Sequence, residues 1–155
     1  MTYYSRKLKM PFGEVLAKVT ANLQQQGFGI VTTLDMKDIF KQKLGEDFRN
    51  YKILGACNPS FAFNAISLES HVGVMLPCNI VIQEHENGEI EVSAINPLES
   101  IDKTMSTPNL VELADKVTKR LRGAIDDLRS DVSDVHVEAI PSDVKTVNME
   151  APMQG

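Results

Sequence analysis

Leu54-Gly55-Ala56-Cys57-Asn58-Pro59 is the stretch that decides how this chain is read. From Arg49 to Cys57 the residues alternate. Tyr51, Ile53, Gly55 and Cys57 fall on one face, and Lys52, Leu54 and Ala56 on the other, which is the pattern of a strand. Asn58 then offers a side-chain oxygen to a free N–H of a first helical turn, and Pro59 fits the first helical position, where its missing donor costs nothing. Phe61, Ala62, Ala65 and Ile66 continue as a short apolar helical stripe. A strand therefore runs straight into a helix, with a thiol at the junction.

That position gives Cys57 two readings. The free amides and positive dipole end of a helix stabilise a nearby thiolate, which would lower the cysteine pKa and make it a nucleophile or soft ligand. Free cysteine is also among the most buried residue types, so it can simply fill space. The only other cysteine, Cys78, lies in Leu76-Pro77-Cys78-Asn79, and each cysteine is followed by asparagine. Taken alone, Cys78 reads as packing. If the fold brings the two sulfurs together, they could form a reversible disulfide, hold a soft ligand or bind a soft metal. A disulfide needs Cα atoms within about 7 Å. A closed zinc site needs about four ligands, and His71, His85 and His136 all lack ligand spacing to a cysteine, so structural zinc is not expected and no metal ligand is assigned. The candidate ligand-binding or redox residues are Cys57, Cys78, Asn58 and Asn79, the asparagine amides orienting a small molecule by donor and acceptor together. No catalytic residue and no cofactor is assigned, and the sequence leaves open whether the chain is an enzyme. The competing reading is a structural or interaction domain whose Asn-Pro and Pro-Cys pairs only fix turns and bends.

Composition narrows the class. At 155 residues, with 43% hydrophobic and 24% charged residues, the chain can build one core without staples. A net charge of −5 argues against a general nucleic-acid surface. No apolar run approaches the ~20 residues of a membrane span, and no apolar segment follows the charged N-terminus as in a signal peptide. A cytoplasmic location, with reduced thiols and no structural disulfide, is the expectation.

Outward from the junction, Thr2 to Lys9 reads as a strand. Pro11 opens a helix with Phe12, Val15, Leu16, Val19 and Leu23 inward, Lys18, Asn22 and the glutamines wet, and Gly27 as the cap. Phe28 to Leu34 is a second strand. Gly27-Phe28-Gly29 follows a helix rather than opening one and lacks a third glycine, so it is no dinucleotide loop. Asp35 caps a second helix ending at Gly45. His71 to Leu76 reads as strand, continuing past a bend or bulge at Pro77 into Cys78 to Gln83. Asn87-Gly88 marks a hairpin into Glu89 to Ile95. His85 and Glu84, Glu86, Glu89 and Glu91 around that turn read as exposed. Asn96 to Ser106 reads as a polar loop. Thr107 and Pro108 open a long helix whose stripe is Leu110, Leu113, Ala114, Val117, Leu121, Ala124, Ile125 and Leu128. Val135, Val137 and Ala139 suggest one more short strand, and Pro141 to Gly155 has no period. The expected order is β-α-β-α-β-α-β-β-α. This is an α/β (α+β) fold: a single mixed, largely antiparallel sheet covered by helices, with one domain over 1–130 and a mobile C-terminal extension over 131–155.

These motifs resemble the bacterial and archaeal family called domain of unknown function 302. The resemblance rests on Gly55-Ala56-Cys57-Asn58-Pro59, on Leu76-Pro77-Cys78-Asn79 with Ile80-Val81-Ile82, on Gly88 to Pro97, on Pro11 to Ile30 and on the helix from Thr107. It implies a compact domain with helices on one side of a curved sheet, a homodimer, and a biochemical role that the family itself leaves unassigned. A small-molecule ligand is the other expected partner; nucleic acid and membrane are not.

Overall fold

The computed structural model describes residues 2–101 and 107–128. Among these residues, five strands, five α-helices and one 3₁₀ helix follow in the order β1 (Tyr3–Leu8), α1 (Phe12–Gln25), β2 (Gly29–Asp35), α2 (Met36–Leu44), β3 (Tyr51–Cys57), α3 (Pro59–Leu68), a 3₁₀ helix (Ser70–Met75), β4 (Cys78–Glu84), β5 (Ile90–Ile95), α4 (Pro97–Ser100) and α5 (Pro108–Asp126). The strands form one sheet in the order β1-β5-β4-β3-β2, and each neighbouring pair is antiparallel. The expected largely antiparallel sheet is thus antiparallel throughout. Val135 to Ala139 and the extension over 131–155 lie outside the described residues.

Alternation along the strands builds the core. Leu54 and Ala56 on β3, Cys78, Ile80 and Ile82 on β4, and Ile90, Val92 and Ala94 on β5 all point to one face and are buried. The register sets them side by side, with Ala56 opposite Cys78, Leu54 opposite Ile80, and Ile80 opposite Ala94. Helices α1 and α5 lie over this face: Val15, Val19 and Leu23 from α1 meet Val117, Leu121, Ala124 and Ile125 from α5 in the same cluster. Each fully buried aliphatic side chain contributes roughly 1.5–3 kcal/mol. The α5 stripe is the one read from the sequence, apart from Leu113, which is half-buried. Lys18 departs from expectation. It is 4% exposed rather than wet, because it sits one turn after Val15 and next to Val19 on the covered side of α1. Asn22 is also engaged, its Nδ2 donating to the carbonyl of Ala124 at 3.0 Å.

Caps and ties fix the helices on the sheet. Gly27 takes φ +85°, a left-handed conformation that lets the Phe28 N–H reach back to the Leu23 carbonyl at 2.8 Å and end α1. Asp35 caps α2 through the Asp38 N–H, and Thr107 caps α5 through the Leu110 N–H. At the far end of α5, the Arg6 guanidinium of β1 donates to the Asp126 carbonyl at 2.6 Å, satisfying a helix-end acceptor while opposing the negative dipole end.

Two segments differ from the sequence reading. His71 to Leu76 is the 3₁₀ helix and its exit, not strand. Glu69 accepts the His71 N–H at 2.9 Å and caps the turn, and the Leu76 N–H closes it on Gly73, so a local bond set replaces the ladder that the valines suggested. The strand begins only at Cys78, after a cis Leu76–Pro77 peptide. Within the expected loop after Asn96, a four-residue helix forms, capped by Asn96 through the Glu99 N–H and tied to α5 by the buried Thr118 hydroxyl, which donates to Asn96 Oδ1. Four residues are too few to show a period.

Candidate functional site

The register decides how the two cysteines relate. Ala56, not Cys57, is opposite Cys78. Successive strand residues point to opposite faces, so Cys78 joins Ala56 in the core and Cys57 belongs to the other face, at the same end of the neighbouring strand. Side chains diverging across a sheet do not bridge without backbone movement. Both thiols are free, Cys57 half-buried and Cys78 buried. Among the described residues, no group of three or more His, Cys, Asp and Glu side chains is placed to hold a metal ion.

Electrostatics runs against thiolate activation at Cys57. Burial pushes its thiol above the usual value rather than below it. The expected helix-end effect loses because Asn58 Oδ1 already accepts the Phe61 N–H at 3.1 Å and Pro59 has no N–H to give. Cys78 is pushed up to about 11, by burial first and by the neighbouring Cys57 second. At neutral pH that leaves Cys78 a thiol, a small apolar wall rather than a nucleophile.

The wall belongs to a cavity. Cys78 lies at its floor, Phe61 and Ala65 of α3 and Leu110 and Ala114 of α5 form its sides, and Val72 and Met75 of the 3₁₀ helix close one end. It encloses about 60 Å³, several times the ~15 Å³ that a single water centre requires, and its lining is almost wholly hydrocarbon. Such a void favours an apolar occupant over water. Around it, Phe63 (73% exposed), Ile66, Leu68 and Val74 (88% exposed) stand in solvent on α3 and the 3₁₀ helix.

The four residues singled out from the sequence therefore do not converge on one point. Cys78 faces the cavity, and Cys57 lies beyond it on the opposite face of the sheet. Asn58 is engaged in capping α3, and Asn79 stands exposed on β4 opposite Gly55. Gly55 itself is tightly enclosed: a Cβ there would sit 2.1 Å from Thr32 Oγ1 and 2.7 Å from Pro77 Cγ.

On the sheet face that α1 and α5 leave uncovered, the structure assembles a group that sequence reading missed. Glu91 accepts from Ser5 Oγ at 2.6 Å and pairs with His85 Nε2 at 2.8 Å, while Ser5 and Ser93 hydroxyls lie 2.8 Å apart. The Ser5 hydrogen bond, then the His85 one, with Lys7 nearby, hold the Glu91 carboxyl below its ordinary range. His85 and Glu91 are thus a partly covered pair, not the wet residues expected. The Asn87-Gly88 hairpin could have suggested the His85–Glu91 pair, six residues apart, but not Ser5, which lies 86 residues from Glu91 and meets it only through β1–β5 pairing. Ser5 donates to the carboxylate, Ser93 meets Ser5, and the imidazole bonds Glu91 rather than either hydroxyl, so the group lacks a base acting on a nucleophile.

Over the described residues, a five-stranded antiparallel sheet with helices on its core face and two free thiols defines an α/β domain. The family described as Domain of unknown function DUF302 matches residues 4–128, and the chain belongs to it. Among solved structures, the chain is similar to an uncharacterized conserved DUF302 protein from Bacillus stearothermophilus, with TM-score 0.76 and 29% sequence identity over 83% of this chain and 99% of that one. No curated protein matches. No helix among the described residues is long and apolar enough to cross a membrane.

Proposed function

We propose that the chain is a non-catalytic binding module that takes a small apolar ligand, or the apolar end of a larger one, in the cavity floored by Cys78. The cavity carries this reading: a mouth between α3 and α5, a hydrocarbon lining, and a thiol whose raised pKa suits a wall. Its volume argues for the size of the occupant, since sites for whole drug-sized molecules run to ~300–1,000 Å³. In this reading Cys57, Asn58 and Asn79 shape the surrounding backbone and do not touch the ligand, and the two free thiols fit a reducing, cytoplasmic setting.

The same reading takes the chain as a homodimer. From Ile53 to Gln83 the only formally charged residue is Glu69, in a chain with 24% charged residues and a net charge of −5. Two like-charged copies meet at least electrostatic cost across that surface, where Phe63 and Val74 are exposed. Light scattering on the full chain is expected to give a two-chain mass.

The ligand reading is tested by titrating methyl-labelled protein with 1-hexanol. Saturable shifts confined to Leu110, Leu113, Ala114 and Val117 are expected, and Ala65→Leu, which fills the mouth, should remove them. Shifts that never saturate, or that persist in Ala65→Leu, would sink it.

A further inference from the structure

The open face of the sheet holds a second and larger recess, separate from the Cys78 cavity. It measures about 460 Å³, inside the ~300–1,000 Å³ range of small-ligand sites. Asn79, Gln83, Glu91 and Ser93 line its floor from β4 and β5, while Tyr51 and Tyr3 stand at its margins. The register explains the grouping: Gln83 is opposite both Tyr51 and Glu91, and Ser93 is opposite both Ser5 and Val81, so alternate residues of four strands converge on one surface.

Two features say what this surface is built to hold. Gln83 and Glu91 are fixed before any ligand arrives. Arg49 Nη2 donates to Gln83 Oε1 at 2.9 Å, which turns the Gln83 amide to a set orientation, and Ser5 and His85 hold Glu91. Tyr51 is braced by the Phe48 ring, with the Arg49 guanidinium 5.5 Å from its centroid. The charges are also balanced. The Glu91 carboxylate is offset by Lys7 across the strand pair and held by His85, and the Arg49 guanidinium is taken up by the Gln83 amide oxygen, so the charges at the recess are already engaged. What remains is neutral hydrogen-bonding capacity from two amides and a hydroxyl, a carboxylate with spare lone pairs, and two aromatic faces.

We infer that this recess is a binding site for a neutral, hydroxyl-rich small molecule of the sugar or polyol class, with Asn79, Gln83 and Glu91 as its hydrogen-bonding residues and Tyr51 as the surface for its carbon face. Ring hydroxyls both donate and accept, matching amides and a carboxylate that together do the same. The flat carbon face of a ring stacks on an aromatic side chain. The occupant differs in chemistry from that of the Cys78 cavity and lies across the sheet from it, so either site can fail without the other.

The test uses the full chain with amide side chains isotopically labelled, titrated separately with methyl glucoside, N-acetylglucosamine, myo-inositol, inorganic phosphate and spermidine. At least one of the three neutral probes should give saturable shifts of the Asn79 and Gln83 side-chain amides at concentrations up to tens of millimolar. Asn79→Ala, an exposed position that leaves the core intact, should weaken that binding about fivefold, the effect of one neutral hydrogen bond. Tyr51→Leu should weaken it by a similar factor. The inference is overturned if no neutral probe saturates, if phosphate or spermidine binds more tightly than all three, or if Asn79→Ala binds as the parent does.

Discussion

Replacing Gly55 with alanine tests the register and the packing of β3 in one step. The added methyl carbon would lie 2.1 Å from Thr32 Oγ1 and 2.7 Å from Pro77 Cγ, both well inside contact distance. Neither neighbour has much room. Thr32 belongs to β2 directly across from Gly55, and Pro77 is a rigid ring immediately before β4. Inserting a methyl into such a site costs roughly 2–3 kcal/mol. Against this, alanine has less freedom than glycine in the unfolded chain, which offsets about 0.4–1 kcal/mol. The net loss is therefore about 1–2.6 kcal/mol, which lowers the melting temperature by roughly 2–10 °C for a domain of this size. Urea unfolding followed by circular dichroism would measure it, with the midpoint falling and the slope unchanged. The double variant with Thr32→Ala removes the nearer clash and should recover part of the loss, a coupling of about 0.5 kcal/mol or more. An unchanged midpoint for Gly55→Ala, or losses that simply add in the double variant, would mean that β2 and β3 do not pair as described.

Two further outcomes follow from the titrating groups. Cys78, pushed up to about 11, should react with a thiol reagent at pH 7 far more slowly than a cysteine in unfolded chain, and Cys57, also raised, should not outpace the unfolded thiol either. Labelling of folded Cys57 faster than unfolded protein would restore the activated-thiolate reading. For Glu91 the folded pKa is depressed, so the stability it contributes is present above the ordinary carboxylate value and is lost as pH falls through the depressed one. The stability gap between parent and Glu91→Gln should be widest near neutrality and close as the pH is taken from about 5 down to 3; a gap that stays constant over that range would refute the assignment.

Local chemistry along the chain was enough to place most elements. Asn58-Pro59 and Thr107-Pro108 announce helix starts because a capping oxygen and a missing donor act within one turn. The α5 stripe and the alternation of β3 and β5 are visible because burial on one face imposes a period on nearby residues. Where two local signals compete, the sequence misleads: the valines of 71–76 suggest strand, yet the Glu69 cap, only two residues upstream of His71, selects a 3₁₀ turn.

The sites are a different matter, because strand pairing sets them and pairing is a long-range choice. Two cysteines with matching flanks look like partners in the sequence. A register that sets Ala56, and not Cys57, against Cys78 turns them to opposite faces, since one residue of offset reverses every side chain. By the same rule Ser5, His85, Glu91 and Ser93, which carry no motif, meet on the uncovered face only because β1 and β4 both pair with β5. Sequence alone determined most of the segments that become helix or strand and that the chain has a core. Tertiary structure decided which side chains share a surface, because alternation is written locally while the alignment of one strand on the next depends on the whole sheet.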